Sequence, residues 1–206
     1  MQQSFQSQKQ LEIALSRLKW PDDFKNGLEQ YPTDPALAAK VAVTAYLDGN
    51  VNGKTAADLG AGFGILSCAF AMLGSKEVFA VEIDPKIGEI GRINCAGLPV
   101  TFIQEDVANF HQYVDTVVMN PPFGSVKPHQ DRVFLEKAMS ISRVIYSIHN
   151  AKSAGFVRTL YSKNGRIIRD EPVHVKVPRL YGHHTRKWMD IPAVFLTAVV
   201  ENPGSP

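Results

Sequence analysis

Short apolar runs alternate with helical patterns between residues 54 and 150. The runs KTAADL, EVFAVEID, VTFIQED, TVVMN and RVIYSIH are separated by segments such as GILSCAFAMLG and PKIGEIGRINCAG. Runs that are apolar throughout are typical of a parallel sheet that helices cover on both faces. The pattern therefore predicts an α/β fold with a doubly wound, mostly parallel sheet.

The pattern changes on both sides of this region. Before it, DPALAAKVAVTAYL predicts an amphipathic helix that starts at Asp34 and has Pro35 at its first position. After it, a further helix near 151–162 precedes GRIIRDEPVHVKVP and IPAVFLTAVVE. These two segments predict long strands that close the sheet as a C-terminal antiparallel hairpin.

Length and composition set the scale of the fold. A chain of 206 residues with 45% hydrophobic composition is long enough for one buried core and short for two. We therefore expect a single domain over residues 1–206, with a helical cap at about 8–50 and the sheet at about 54–200.

The sequence also indicates the cellular compartment of the protein. No apolar run approaches the roughly 20 residues that span a membrane, and the N-terminus lacks a signal-peptide pattern. Cys68 and Cys95 are too few for a disulfide framework or a zinc site. We expect a cytoplasmic protein, away from the membrane, with no metal and with two buried thiols.

Positive charge is concentrated late in the chain. The net charge is +2, but residues 152–190 carry nine Lys and Arg against three Asp and Glu. A basic segment is often only a solvated surface. The alternative is contact with nucleic acid.

A glycine loop follows the first strand. The segment DLGAGFG places Gly60, Gly62 and Gly64 where a helix begins, and glycines there let a ligand approach the backbone. A structural turn would use the same residues. Asp58 argues for a ligand, and because a carboxylate repels pyrophosphate, it favours a cationic or amino-bearing one.

Carboxylates end the next two strands as well. Glu82 of VEID can accept both hydroxyls of a ribose, whereas Asp84 is expected to cap the helix that begins at Pro85. In QEDV, Asp106 can accept the amino group of adenine, and Val107 offers a backbone N–H. Carboxylates at three successive strand ends indicate an adenosine-containing cofactor.

The segment VVMNPPFG ends the fourth strand on Asn120 and stiffens the chain with two prolines. Proline fixes φ, has no N–H and keeps the preceding residue extended. The carbonyl groups here are therefore held as rigid acceptors, next to the flat ring of Phe123.

Together these motifs resemble class I S-adenosylmethionine-dependent methyltransferases. NPPF resembles the amino-methylating signature of that class. The segments LEQYPT, DLGAGFGILS, AMLGS, NPPFG and YGHHTRKWMDIP resemble the methyltransferase-like-5 family, the ribosomal-RNA adenine N6-methyltransferases and their archaeal relatives. The resemblance implies S-adenosyl-L-methionine as cofactor. The residues it implies around the cofactor are Gln30, Thr33, Asp58, Gly60, Gly62, Phe63, Ile65, Glu82, Asp106 and Val107.

The amino-methylating signature suggests a mechanism. The Asn120 side-chain carbonyl and the Pro121 backbone carbonyl can hold both hydrogens of an exocyclic amine, which favours a nucleophilic nitrogen. Pro122 stiffens the turn, and Phe123 can stack on a flipped base. The catalytic residues predicted are therefore Asn120, Pro121, Pro122 and Phe123.

RNA is the expected substrate, ribosomal RNA first, and no DNA is expected. The candidate contacts are Lys127, Arg132, Tyr181, His183, His184, Arg186 and Lys187. A guanine N2, a cytosine N4 or a protein glutamine amide fits the same acceptors. A non-enzymatic module that binds RNA or cofactor is a further alternative.

A protein partner is also implied. The third strand, residues 100–104, is expected at an edge of the sheet, where unpaired backbone groups invite another strand. The resemblance implies that a small zinc-binding methyltransferase activator adds its sheet there, in contact with Phe102 if that side chain points outward.

Overall fold

A computed structural model describes residues 7–21, 33–123, 130–179, 187–201 and 203. For residues 130, 177–179 and 187–189 it describes the backbone only. The described helices are α1 (Gln8–Leu15), α2 (Pro35–Leu47), α3 (Ile65–Met72), α4 (Pro85–Asn94), α5 (Gln130–Ile141) and α6 (Ala154–Asn164). The described strands are β1 (Thr55–Leu59), β2 (Glu77–Val81), β3 (Val100–Ile103), β4 (Thr116–Met119), β5 (Val144–Asn150), β6 (Gly165–Arg179) and β7 (Lys187–Val200). A 3-10 turn covers Val107–Asn109.

The strands form one sheet in the order β3-β2-β1-β4-β5-β7-β6. The first five are parallel, whereas β7 is antiparallel to both β5 and β6. This confirms the predicted doubly wound, mostly parallel sheet with a C-terminal hairpin. β3 lies at an edge, as predicted.

Two helix starts form as their sequences predict. The Asp34 carboxylate accepts hydrogen bonds from the N–H groups of Ala36 and Leu37, both at 3.1 Å, with Pro35 at the first helical position. The Asp84 carboxylate accepts one from Lys86 at 3.0 Å. Each satisfies N–H groups that a helix start leaves without an intrahelical partner.

Each face of the sheet has its own hydrophobic core. On one face α1 to α4 bury residues such as Leu11 and Phe70 against β1 and β5. On the other face α5 and α6 bury residues such as Leu135 and Tyr161. Because both faces are covered, the central parallel strands β1, β2, β4 and β5 are buried along almost their whole length and are largely apolar. This explains the pattern from which the sheet was predicted.

The expectation of two separate thiols is wrong. Cys68 of α3 and Cys95, just after α4, are joined by a disulfide, with their Cα atoms 5.5 Å apart. The pair is 27 residues apart in sequence, and only the packing of α3 beside α4 brings them together. Their predicted burial is confirmed, since Cys68 is 0% exposed and Cys95 is 4% exposed.

α2, with 13 residues, is the longest helix in the described part of the chain. Among the described residues no helix has the length and apolar character needed to cross a bilayer. The same residues contain no group of three or more His, Cys, Asp or Glu side chains placed to hold a metal ion.

Candidate active site

The glycine loop leaves β1 at the point where the winding of the sheet reverses between β1 and β4. The N–H groups of Gly60 and Ala61 both donate to the Val81 carbonyl, at 3.0 and 2.9 Å, which fixes the loop to β2. Gly62 has a φ of 56°, in the left-handed region that favours glycine. A Cβ atom on Gly62 would meet nothing within 4 Å, so a ligand can approach the backbone there.

Glu82 connects the glycine loop to the end of β2. Its Oε2 accepts the Gly62 N–H at 2.8 Å, and its Oε1 accepts the Asp84 N–H at 2.8 Å. Burial raises the pKa of Glu82, and the two backbone hydrogen bonds oppose that rise. Each carboxylate oxygen can accept a second hydrogen bond, so contact with a ribose remains compatible with this geometry.

Asp58, next to the last residue of β1, is buried, with 1% of its surface exposed. Its Oδ2 accepts the Ser67 hydroxyl hydrogen at 2.6 Å, whereas Oδ1 is buried without a hydrogen bond. Burial is the main cause that raises the pKa of Asp58 to about 7. A buried acceptor that lacks a donor fits the amino-bearing ligand predicted from the sequence.

Asp106 is exposed, and its Oδ1 accepts the Ala108 N–H at 2.9 Å as the cap of the 3-10 turn. Val107 is buried, so any contact with a cofactor would have to use its backbone. Ile83 was missed by the sequence analysis: it follows Glu82 directly and is 55% exposed. An exposed isoleucine beside this carboxylate offers an apolar surface for a flat ring.

Asn120 is linked to the start of α2. Its Nδ2 donates to the Thr33 hydroxyl oxygen at 3.0 Å. Thr33 is 4% exposed and directly precedes Asp34, the N-cap of α2. Thr33, predicted beside the cofactor, therefore contacts the predicted catalytic asparagine, whose Oδ1 is also a buried atom.

Three predicted site residues have side chains that point into the core. Phe63 is 3% exposed and Ile65 is 4% exposed. The Phe63 ring packs on Trp20 with 5.0 Å between the ring centroids. Phe123 is 7% exposed, so stacking on a base requires its ring to be uncovered. The predicted contacts of Phe63 and Ile65 with a cofactor would therefore have to use their backbone groups.

The β6–β7 hairpin extends beyond the carboxyl end of β5. Pairing of β5 with β7 ends at Asn150 and Ala193, but β6 and β7 continue for six further pairs, from His174–Pro192 to Arg179–Lys187. At about 3.4 Å per residue, these six pairs carry the hairpin roughly 20 Å beyond the end of β5. The hairpin therefore projects from the edge of the sheet that carries the glycine loop.

Several predicted residues lie outside the described part of the chain. These are Gln30, Lys127, Tyr181, His183, His184 and Arg186, and for Lys187 only the backbone is described. Arg132 is described on the exposed face of α5, where its Nε pairs with Glu136 at 2.7 Å. RNA contact by these residues remains a prediction.

The edge strand β3 turns Phe102 inward. Arg92 Cζ lies 5.9 Å from the centroid of the Phe102 ring, and a Cβ on Gly64 would lie 2.9 Å from its Cζ. The exposed side chain of the strand is Thr101, which donates to Glu77 at 3.2 Å. Phe102 therefore supports the glycine loop and is not the outward contact that the partner hypothesis would use.

Comparison with known proteins gives the family. The model of the methyltransferase small domain matches residues 38–141, which include the glycine loop, Glu82 and Asn120. The chain belongs to this methyltransferase family. The match confirms the resemblance predicted from the motifs.

Similar proteins cover nearly the whole chain. A protein of Methanocaldococcus jannaschii is 33% identical over 90% of this chain and 91% of its own length. The rRNA N6-adenosine-methyltransferase METTL5 of Danio rerio is 31% identical over 91% of this chain and 96% of its own. A crystal structure of a candidate RNA methyltransferase from Pyrococcus horikoshii superposes with a TM-score of 0.87 at 36% identity, over 96% of this chain and 100% of that one.

Proposed function

We propose that the protein transfers the methyl group of S-adenosylmethionine to the N6 amino group of an adenine in RNA, with small-subunit ribosomal RNA as the target. The observation that carries the proposal is the position of Asn120, at the carboxyl end of β4 beside the glycine loop. The name of the zebrafish relative, an rRNA N6-adenosine-methyltransferase, supports the same substrate class. A cytoplasmic location is part of this proposal.

The residues at the strand ends fit the cofactor. The buried Oδ1 of Asp58 is an acceptor for the amino group of its methionine part. Glu82 is the acceptor for the ribose hydroxyls, and Ile83 and Asp106 lie at the end where the adenine would bind. When bound, the cofactor would supply an electrophilic methyl group on a sulfonium; the leaving group would be the neutral thioether S-adenosylhomocysteine, and the methylated amine would give its extra proton to water.

The chain contributes mainly by positioning the nucleophile. The lone pair of an adenine amino group is delocalised into the ring, so the flat amine is a poor nucleophile. Hydrogen bonds to Asn120 Oδ1 and to the Pro121 carbonyl favour a pyramidal nitrogen and stabilise the transition state more than the ground state. Thr33 keeps the amide in the orientation that presents Oδ1, because its hydroxyl oxygen accepts from Nδ2.

Analysis of modified nucleosides tests the proposal. The purified protein is incubated with labelled S-adenosylmethionine and unmodified small-subunit ribosomal RNA, and the digested RNA is analysed by mass spectrometry. N6-methyladenosine that depends on Asn120 is the expected product. Methylated guanine or cytosine would overturn the adenine assignment, and label transferred to ribosomal protein would favour a glutamine amide.

The β6–β7 hairpin is the proposed RNA-binding arm. In the sequence, Lys187 is the first residue of β7, and Arg186, His184 and His183 precede it between the two strands of the hairpin. Lys and Arg at such a position would contact phosphates, whereas Tyr181 would stack on an unpaired base. This placement would hold RNA over the edge of the sheet that carries Asn120.

A small zinc-binding activator subunit is the proposed protein partner at β3. The Val78 and Glu82 N–H groups donate to the Pro99 and Ile103 carbonyls. The backbone groups of successive residues in a strand point to opposite edges, so Pro99 and Ile103 face β2. Phe102 and Gln104 therefore direct their backbone groups to the free edge, where a strand can be added.

A proline at Gln104 tests this partner. Gln104→Pro removes an N–H from the free edge, and the exposed side chain has no core role. Gln104→Ala is the matched control, because it keeps the N–H. Loss of a co-purified zinc-binding subunit in Gln104→Pro alone is expected. Equal recovery of that subunit with both folded variants, or its absence with wild type, would contradict the proposal.

A further inference from the structure

Asn94, the last residue of α4, bonds to two other parts of the chain. Its Oδ1 accepts the Lys19 N–H at 2.8 Å, and its Nδ2 donates to the Lys19 carbonyl at 2.9 Å. The same Nδ2 donates to the Phe63 carbonyl at 2.9 Å. One asparagine thus joins the segment after α1 to the glycine loop.

All three partners are backbone groups, so the bridge fixes the main chain. Both amide hydrogens and the carbonyl oxygen are used, and the Lys19 N–H requires Oδ1 in its present place. If the amide were flipped, the Nδ2 donor of Asn94 would face the Lys19 N–H, which is also a donor. The arrangement therefore has one satisfied orientation.

Neighbouring contacts hold the same part of the glycine loop. The Trp20 ring covers the Phe63 ring at 5.0 Å between centroids. The Sγ atom of Cys95 lies 3.5 Å from the Gly64 carbonyl oxygen, and Cys95 is bonded to Cys68 of α3. The two consecutive residues Asn94 and Cys95 thus contact two consecutive carbonyls of the loop.

This end of the loop is close to the groups that would bind the cofactor. Gly62, whose N–H donates to Glu82, directly precedes Phe63. A rotation of the peptide after Phe63 would therefore be transmitted to the Gly62 N–H and to the Glu82 carboxylate. A loop that is already fixed loses less conformational entropy when a ligand binds.

We propose that Asn94 is a positioning residue for the cofactor site: by tying Lys19 to Phe63 it holds the glycine loop in the binding geometry and sets the affinity for the cofactor. The inference rests on the proposed role of the glycine loop and Glu82. It adds a residue that lies outside the motifs and need not contact the cofactor.

Binding of S-adenosylhomocysteine, measured by calorimetry, tests the inference. Asn94→Ala removes all three hydrogen bonds, and Asn94→Asp keeps the shape but removes both Nδ2 donations. Each is expected to weaken binding roughly tenfold. The KM for S-adenosylmethionine is expected to rise by a similar factor, while kcat at saturating cofactor changes less than about twofold.

Two controls separate positioning from general stability. Asn164 also ends a helix, α6, but its Nδ2 donates within that helix, to the Leu160 carbonyl at 2.8 Å. Val157 is fully buried in the core of the other face, so Val157→Ala lowers stability away from the loop. Both Asn164→Ala and Val157→Ala are expected to keep the wild-type affinity.

Trp20 gives a second readout. The chain has two tryptophans, so a Trp188→Phe background leaves Trp20 as the only one. The fluorescence emission of Trp20 is expected to shift to longer wavelength in Asn94→Ala, because the contact between the Trp20 and Phe63 rings becomes looser and Trp20 becomes more exposed to water.

Each outcome decides the inference. Wild-type affinity in both Asn94 variants, or an equal loss in Val157→Ala, would overturn it and leave the cofactor assignment intact. Failure of both Asn94 variants to fold would also overturn it, since Asn94 would then be needed for the fold itself. If wild type does not bind S-adenosylhomocysteine, the proposed function fails first.

Discussion

The Asn120 side chain donates to the Thr33 hydroxyl oxygen at 3.0 Å, across 87 positions of sequence. This bond ties the start of α2 to the end of β4. It also gives the Asn120 amide a defined orientation, because Thr33 accepts from Nδ2. Activity should therefore depend on Thr33 even if Thr33 never contacts the substrate.

Thr33→Val should lower kcat about tenfold, since the Asn120 amide loses the acceptor that fixes it. Thr33→Ser keeps the hydroxyl and should retain most of the activity. Steady-state methyl transfer to RNA, with cofactor affinity measured in parallel, checks this. If valine and serine variants were equally active, Thr33 would have no orienting role.

Asn120→Ala should leave cofactor binding largely intact but lower methyl transfer by about two orders of magnitude or more, because a transition-state acceptor is lost. Single-turnover rates with bound cofactor measure the chemical step directly. Near-normal turnover in this variant would contradict the mechanism.

Glu82→Ala should weaken cofactor binding, because it removes a charged acceptor whose hydrogen bonds are each worth about 1.5–3 kcal/mol. It should also loosen the glycine loop, since the Gly62 N–H loses its partner. Glu77 is the first residue of β2, at the end of the strand opposite to Glu82 and the glycine loop. Glu77→Ala is therefore the control. Unchanged calorimetric affinity in Glu82→Ala would remove Glu82 from the site.

Asp58 should make the free protein less stable as pH rises. Its pKa is raised from 3.8 to about 7 in the fold. Between these values the native state binds more protons than the unfolded state, so stability falls with pH. His149 has the opposite sign: burial lowers its pKa from 6.5 to about 3, so its contribution rises with pH in that interval.

Asp58→Asn should therefore gain stability relative to wild type by up to about 1.4 kcal/mol per pH unit between pH 4 and 7. Above pH 7 the difference should level off. Urea unfolding of both proteins at pH 5, 6, 7 and 8 without cofactor measures it. A difference that does not change with pH would show that Asp58 titrates normally.

Reduction of the Cys68–Cys95 disulfide should lower stability by about 3 kcal/mol, as expected for a crosslink that closes a loop of this size. Urea unfolding with and without a phosphine reductant measures the change. The Cys68→Ala, Cys95→Ala double variant should show no effect of reductant. Two reactive thiols in the denatured, unreduced protein would show that the bond is absent.

Arg186→Glu with Lys187→Glu should weaken RNA binding and flatten its salt dependence, because each lost phosphate contact lowers the slope by about one. Lys163 and Arg166 lie where α6 meets the other end of the hairpin, and both are exposed. Glutamate at these two positions is the control for net charge. If both pairs had the same effect on the salt slope, Arg186 and Lys187 would have no special role in RNA binding.

The sequence determined the fold class and the order of its elements. Apolar runs between helical patterns were enough for the parallel sheet, because both faces of its central strands are buried. Local signals were equally reliable at Asp34 and Asp84, since a helix cap depends on residues two or three positions away. The strand-end carboxylates could be located because parallel strands end at one edge.

Only the tertiary structure decided which distant groups meet. The Asn120–Thr33 bond, the Cys68–Cys95 disulfide and the bridge from Asn94 to Lys19 each join residues that sequence spacing does not relate. The inward turn of Phe102 depends on which face of β3 packs on α4. These contacts arise from the packing of helices on the sheet, where small differences in angle and register choose among many possible neighbours, and no local pattern in the chain encodes that choice.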